Sequence, residues 1–190
     1  MARWWWVRHG PTHQKVFTGW RDVPADLSDL DRIARLAAYL PSDAVVVSSD
    51  LIRASATADA IQGTRPRIND AFALRELHFG EWDGKHFNDV SKTHPGLSRA
   101  YWETPGDVTA PGGESWNDTA ARVSAFVDQL SAQQDGDIIA VAHFGVILTQ
   151  LGRVLGQSPA KVIAQKIDNL SVTCLTYGET PGAEVVNHCP

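Results

Sequence analysis

The sequence predicts an α/β fold: a three-layer α/β/α sandwich around a mostly parallel central sheet, with an inserted cap segment, in one domain of 190 residues. Three observations carry this. Four short, mainly apolar runs lack period-two alternation: Trp4–Val7, Ala44–Val47, Ile138–Ala142 and Ser171–Leu175. Such continuity marks strands buried on both faces. Helical periodicity fills the intervals between them. The chain is also 43% hydrophobic and 21% charged, a globular balance, and one this long buries roughly 70% of its unfolded surface.

In chain order, the run after Arg3 is too short for a signal-peptide core or a membrane span. Leu30, Ile33, Ala34, Ala37 and Leu40 recur at three and four and predict a helix. The second strand ends in Ser48-Ser49-Asp50 and enters a helix that carries Arg53. Residues 63–113 hold Pro66, Pro95, Pro105 and Pro111 with irregularly spaced aromatics, and read as an inserted cap beside the sheet, over the active site, not as a separate domain. Gly112-Gly113 and a Ser115 cap open a helix with Trp116, Ala120, Val123, Val127 and Leu130 on one face. Ile138–Ala142 runs into His143-Phe144-Gly145 and an apolar helix. The tail after Tyr177 is expected to pack loosely. Seven tryptophans stand against one methionine, three of them in succession.

A net charge of −5 argues against a broad nucleic-acid or membrane-binding face. Two cysteines, Cys174 and Cys189, make no disulfide framework, and no CxxC spacing exists for zinc. A cytoplasmic protein without cofactor or metal is expected. Its partner would be a small molecule, not a nucleic acid or a membrane.

The polar chemistry collects at three strand ends: Arg8-His9-Gly10-Pro11-Thr12, Ser48-Ser49-Asp50 with Arg53, and His143-Phe144-Gly145. In open α/β sheets ligands bind beyond the carboxyl ends of the strands, where helix N-termini favour anions. Side chains alternate along a strand, so Arg8 and His9 share one ligand only if Gly10-Pro11 has already broken the strand into a turn. Each element alone has a plain reading, as a surface Arg-His pair, a solvated arginine or a core histidine. Their coincidence at equivalent strand ends is what points to an anion site.

These residues resemble the histidine phosphatase superfamily, the phosphoglycerate mutase-like enzymes. Arg8-His9-Gly10 with Thr12 looks like its signature, and Ser48 through Ala58 is similar to its second-arginine helix. Leu74-Arg75-Glu76-Leu77 with Phe79-Gly80-Glu81-Trp82-Asp83-Gly84 matches its proton-donor loop. Pro111 to Ser115 and Val141 to Ile147 match two further segments in the right order. The resemblance implies that His9 is a nucleophile that becomes phosphohistidine. It implies that Arg8, Arg53 and His143 hold the phosphoryl oxygens and that Glu76 is general acid and then base. Glu81 and Asp83 compete for the acid's role. Lys15, Thr18 and Gly19 are expected to contact phosphate or substrate. Three features depart from the family pattern: Pro11 after Arg-His-Gly, a short loop between Gly10 and Thr18, and Phe144 where a glycine is usual.

The chemistry is coherent in its own right. Phosphoryl transfer needs positioning and charge dispersal over three equatorial oxygens. Two guanidiniums and an imidazolium supply that charge without a metal. The length and the Phe79–Gly84 loop resemble the small phosphatases, such as α-ribazole phosphatase, so hydrolysis of a small phosphorylated metabolite is the expected activity. The alternatives are mutase-type phosphoryl transfer and a non-catalytic phosphate-binding module. A metallohydrolase built on His9 and His13 is disfavoured, because Pro11 prevents a continuous helix between them.

Overall fold

The computed structural model describes residues 3–190. It contains a five-stranded sheet in the order β2-β3-β1-β4-β5. The strands are β1 (Arg3–Arg8), β2 (Val45–Ser48), β3 (Ile138–Ala142), β4 (Val172–Thr176) and β5 (Gly182–His188). β1 and β2 both pair in parallel with β3, whereas β4 is antiparallel to β1 and to β5. The sheet is therefore mostly, but not entirely, parallel. The tail expected to pack loosely is in fact β5, an edge strand whose alternating burial hid it from a search for continuous apolar runs.

Alternation along the strands builds two cores. Trp4, Trp6, Ile138 and Ala140 face one way, onto α5 (Trp116–Gln133) and α6 (Phe144–Leu155). Val7, Ile139 and Val141 face the other way, onto α1 (Leu30–Tyr39) and α2 (Ile52–Gln62). These are the three layers. The helix boundaries have local causes: Asp29 caps α1 by accepting from the Arg32 N–H, and Ser115 and Asp118 form a reciprocal capping box at α5.

The tryptophan run belongs to this layering. Trp4 and Trp6 are fully buried and stack at 5.2 Å, while Trp5 lies on the opposite face against Tyr39. Each buried indole is worth up to roughly 5 kcal/mol. Neither indole N–H is lost, since Trp4 donates to Ser131 Oγ at 2.9 Å and Trp6 to Tyr177 Oη at 3.1 Å. The strand that ends in Arg8 is thus fixed from beneath.

Residues 63–113 begin as an extension of the sheet edge, with isolated parallel bridges from Arg67 to Val46 and from Ala71 to Ser49. They continue through two short 3₁₀ turns into α3 (Phe87–Thr93) and α4 (Pro95–Glu103). Val90 and Tyr101 join the α5/α6 core. A last short helix, α7 (Pro159–Val162), precedes β4. Among the described residues no helix is long and apolar enough to cross a membrane.

Candidate active site

The parallel strands β1, β2 and β3 end side by side, and the chain leaves β1 toward one edge and β3 toward the other. That is the switch point at which open sheets bind ligands. A cavity of about 290 Å³ opens there, and Arg8, His9, Thr18, Arg53, Glu76 and Phe144 are among its lining residues.

β1 stops pairing at His9, whose N–H still bonds to the Ala142 carbonyl at 3.0 Å. The next N–H, of Gly10, turns out of the sheet to Thr57 Oγ at 3.0 Å. The Asn169 amide holds the His9 carbonyl at 2.8 Å. Residues 8 and 9 therefore both line the pocket. His9 Nδ1 lies 2.7 Å from the Gly10 carbonyl oxygen. A carbonyl can only accept, so Nδ1 carries the proton and Nε2 keeps its lone pair. Burial, together with the Arg53 and Arg8 charges, lowers the His9 pKa to about 3 against the opposing pull of the Gly10 carbonyl. The ring is a neutral base at physiological pH.

Arg53 sits in the first turn of α2 and is almost wholly buried. Its guanidinium donates to the carbonyls of Gly19 at 2.6 Å and Arg21 at 2.9 Å. Arg8 donates to the Ile167 carbonyl at 2.6 Å and lies over the Phe144 ring, while its Nε is buried with no partner. Neither takes part in an ion pair among the described residues. Both pKa values are pushed down, chiefly by burial. Two cations, Arg53 buried and Arg8 half-buried, held by neutral carbonyls leave positive potential in the cavity.

His143 caps α6, with its ring 5.1 Å from that of His9 and neither nitrogen bonded. Burial first, then Arg53, His9 and Arg8, hold its pKa well below the usual value. The imidazolium expected from sequence is therefore a neutral ring here.

The Glu76 carboxylate accepts from the Leu77 N–H at 3.0 Å and from the Gly145 N–H at the start of α6, at 3.1 and 3.2 Å to its two oxygens. Burial raises its pKa, opposed by these donors and by Arg53 and Arg8. The loop that carries it is clamped. Arg122 donates to the carbonyls of Ala73 and Arg75, and forks onto Glu114 at 2.8 and 3.0 Å. Trp20 Nε1 holds the Glu76 carbonyl at 2.8 Å.

The rival carboxylates are placed differently. Asp83 accepts the N–H groups of Gly19, Trp20 and Arg21, organising the loop whose carbonyls hold Arg53, and Glu81 is exposed. Of the expected substrate contacts, Thr18 lines the cavity. Gly19 meets Arg53 through its carbonyl, and Lys15 is exposed outside the lining. A Cβ on Gly19 would lie 2.5 Å from the Leu77 carbonyl oxygen, which explains the glycine. Thr57, Asn169 and Arg122 went unnoticed in the sequence. Thr57 was detectable, four residues after Arg53 on the same helix face. Asn169 lies in an irregular loop with no periodic signal.

The sequence model of the histidine phosphatase superfamily (branch 1) matches residues 4–187. The chain belongs to this superfamily. A 2,3-bisphosphoglycerate-dependent phosphoglycerate mutase of Methylorubrum extorquens is 33% identical over 172 residues, covering 83% of this chain and 81% of the mutase. A glucosyl-3-phosphoglycerate phosphatase of Mycolicibacterium vanbaalenii is 33% identical over 165 residues, covering 79% of this chain and 72% of the phosphatase. A solved mycobacterial glucosyl-3-phosphoglycerate phosphatase superposes with a TM-score of 0.84 at 26% identity, over 100% of both chains. The α-ribazole phosphatase of Shigella flexneri shares the fold, with a TM-score of 0.81 at 22% identity over 98% of this chain and 96% of that one. This histidine phosphatase superfamily enzyme has both phosphatases and mutases among its relatives. The chain covers 81% of the mutase and 72% of the phosphatase, so coverage does not separate the two activities.

Proposed function

We propose that the protein hydrolyses phosphomonoesters of small metabolites through a phosphohistidine at His9. The observation that carries this is the Nδ1–H bond of His9 to the Gly10 carbonyl. It leaves the Nε2 lone pair in a cavity with Arg8 and Arg53. Nε2 attacks phosphorus in line while Arg8, Arg53 and His143 bind the three equatorial oxygens. The ester oxygen leaves with the P–O electron pair and takes a proton from the Glu76 carboxyl, whose pKa burial raises. The Glu76 carboxylate then accepts a proton from water as the water oxygen attacks phosphorus. The N–P bond breaks and its electrons return to Nε2. His143, neutral without ligand, donates one ring N–H to the bound dianion. The Thr18 hydroxyl serves the substrate side of the cavity, and residues 63–113 act as a cap whose α3 and α4 supply its outer wall.

Phosphate release across a panel of phosphorylated metabolites, with His9→Ala as control, tests the reading. Release that survives the substitution contradicts it. Similarity to the mutase favours a second reading, phosphoryl transfer between monophosphoglycerates. Interconversion with a bisphosphoglycerate primer that outpaces phosphate release would favour it over hydrolysis.

A further inference from the structure

Building on the phosphomonoesterase reading, we infer that the pocket selects substrates whose phosphoryl group is their only anionic group, carried on an apolar or aromatic alcohol. Among the described residues, Arg8 and Arg53 are the only cations lining the cavity, and both stand beside His9. A substrate that also carries a carboxylate or a second phosphate needs a further cation. The basic side chains of the neighbouring loops are either engaged elsewhere or, like the exposed Arg21 and Lys85, outside the lining. Arg75 is forked onto Asp50 at 2.7 and 2.8 Å, Arg122 is held by Glu114, and the exposed Lys15 lies outside the lining.

Besides Thr12, Gln14, Val16 and Thr18, all uncharged, the remaining wall is aromatic. Phe79, Phe87, Trp102 and Phe144 face the cavity. Phe87 and Trp102 remain 46% and 40% exposed, although both are large apolar groups. They are not loose: Phe17 packs behind them, 4.5 Å from Phe87, 5.0 Å from Phe79 and stacked at 6.0 Å on Trp102. A firm aromatic wall with its face to water gains free energy when an apolar ligand covers it. Beyond Trp102 and Phe144 lies a narrow apolar cleft of about 50 Å³, lined also by Tyr101, Val108 and Ile163. The Tyr101 hydroxyl is buried without a hydrogen-bond partner, and Glu76 is the other polar group of this mainly apolar recess. Phosphoglycerates, with a carboxylate beside the phosphate, lack the apolar body that this wall covers.

Calorimetry on the wild-type protein tests this with three phosphonates that cannot be hydrolysed: 3-phenylpropylphosphonate, propylphosphonate and 3-carboxypropylphosphonate. They share one dianionic head and differ only in the tail. The phenyl compound is expected to bind at least tenfold more tightly than propylphosphonate, and the carboxyl compound no more tightly. In Trp102→Ala and Phe87→Ala the phenyl preference should fall below threefold. A carboxyl compound that binds more tightly than propylphosphonate, or a phenyl compound that does not, overturns the inference. If the phenyl preference holds while the wild type releases no phosphate from any monoester, the hydrolase reading fails and the selectivity stands. Binding of none of the three overturns both.

Discussion

Both oxygens of the Glu76 carboxylate lie within 3.2 Å of the Gly145 backbone nitrogen, at the N-terminus of α6. A Cβ on Gly145 would come within 2.6 Å of Glu76 Oε1 and 2.2 Å of Leu77 Cδ1. The helix that His143 caps thus also seats the carboxyl group proposed as the acid. The glycine makes that approach feasible, and its N–H is one of the donors that a helix leaves unpaired at its start. Gly145→Ala should lower kcat on alkyl phosphates by at least tenfold and cost about 1–3 kcal/mol of stability through overpacking. Inhibition by vanadate, which reports the arginines, should persist. Wild-type kcat in a folded variant would remove Gly145 from this role.

Glu76→Gln separates leaving-group protonation from phosphate binding. Turnover of an alkyl phosphate should fall about 10²–10⁴-fold, the usual worth of general acid catalysis. An activated nitrophenyl ester, whose leaving group hardly needs a proton, should lose much less in the phosphorylation step. Equal losses in single-turnover phosphorylation of His9 by the two esters would take the acid's role away from Glu76.

Thr57→Val removes the acceptor of the Gly10 N–H and the donor to the Arg53 carbonyl. It leaves a buried N–H unsatisfied at the residue next to His9, at a cost of about 1–3 kcal/mol. Urea unfolding should show that loss, with Thr57→Ser retaining most of the stability. Wild-type stability in Thr57→Val would mean that the turn is held by other contacts.

Much of this was legible because it was periodic or adjacent. The three parallel strands declared themselves by continuous apolarity. α1 and α5 emerged from their spacing, and Arg8, His9, Arg53 and His143 from their places at strand ends. β5 did not, because an edge strand alternates and its residues are half-exposed. α3 and α4 lie among prolines and short apolar patches that define no helical face on their own. The positioning groups were hidden for a different reason. Asp83 acts on a loop 62 to 64 residues away, and Arg122 reaches carbonyls 47 and 49 residues away. No local pattern encodes those contacts.

Asp83 holds three consecutive N–H groups, and two of those residues present their carbonyls to Arg53. Asp83→Ala should therefore weaken vanadate inhibition by about tenfold without touching the anion, equivalent to roughly 1.4 kcal/mol. An unchanged inhibition constant would show that Arg53 is fixed without that loop.

The buried histidines predict the acid limb of stability. The His9 pKa falls from 6.5 to about 3 on folding, and that of His143 moves in the same direction. Between those values the unfolded chain binds more protons, so stability declines as the pH drops from 6.5 toward 3. Each such histidine contributes at most about 1.4 kcal/mol per pH unit. Glu76, raised on folding, has the opposite sign and loses its contribution as the pH rises through its folded value. Urea titrations from pH 7 to 4 should show the decline, and His143→Gln should flatten it. A wild-type profile flat over that range would mean that the rings titrate normally.

In the proposed reaction Nε2 of His9 is the atom that takes the phosphoryl group, because Nδ1 is committed to the Gly10 carbonyl. Alkaline quenching during turnover of a phosphomonoester, followed by peptide mapping and phosphorus–proton NMR, identifies both the residue and the nitrogen. Phosphohistidine is expected at position 9, linked through Nε2, and none in His9→Ala. Phosphate on Nδ1, on another residue, or rapid turnover with no phosphoenzyme during the approach to steady state would contradict it.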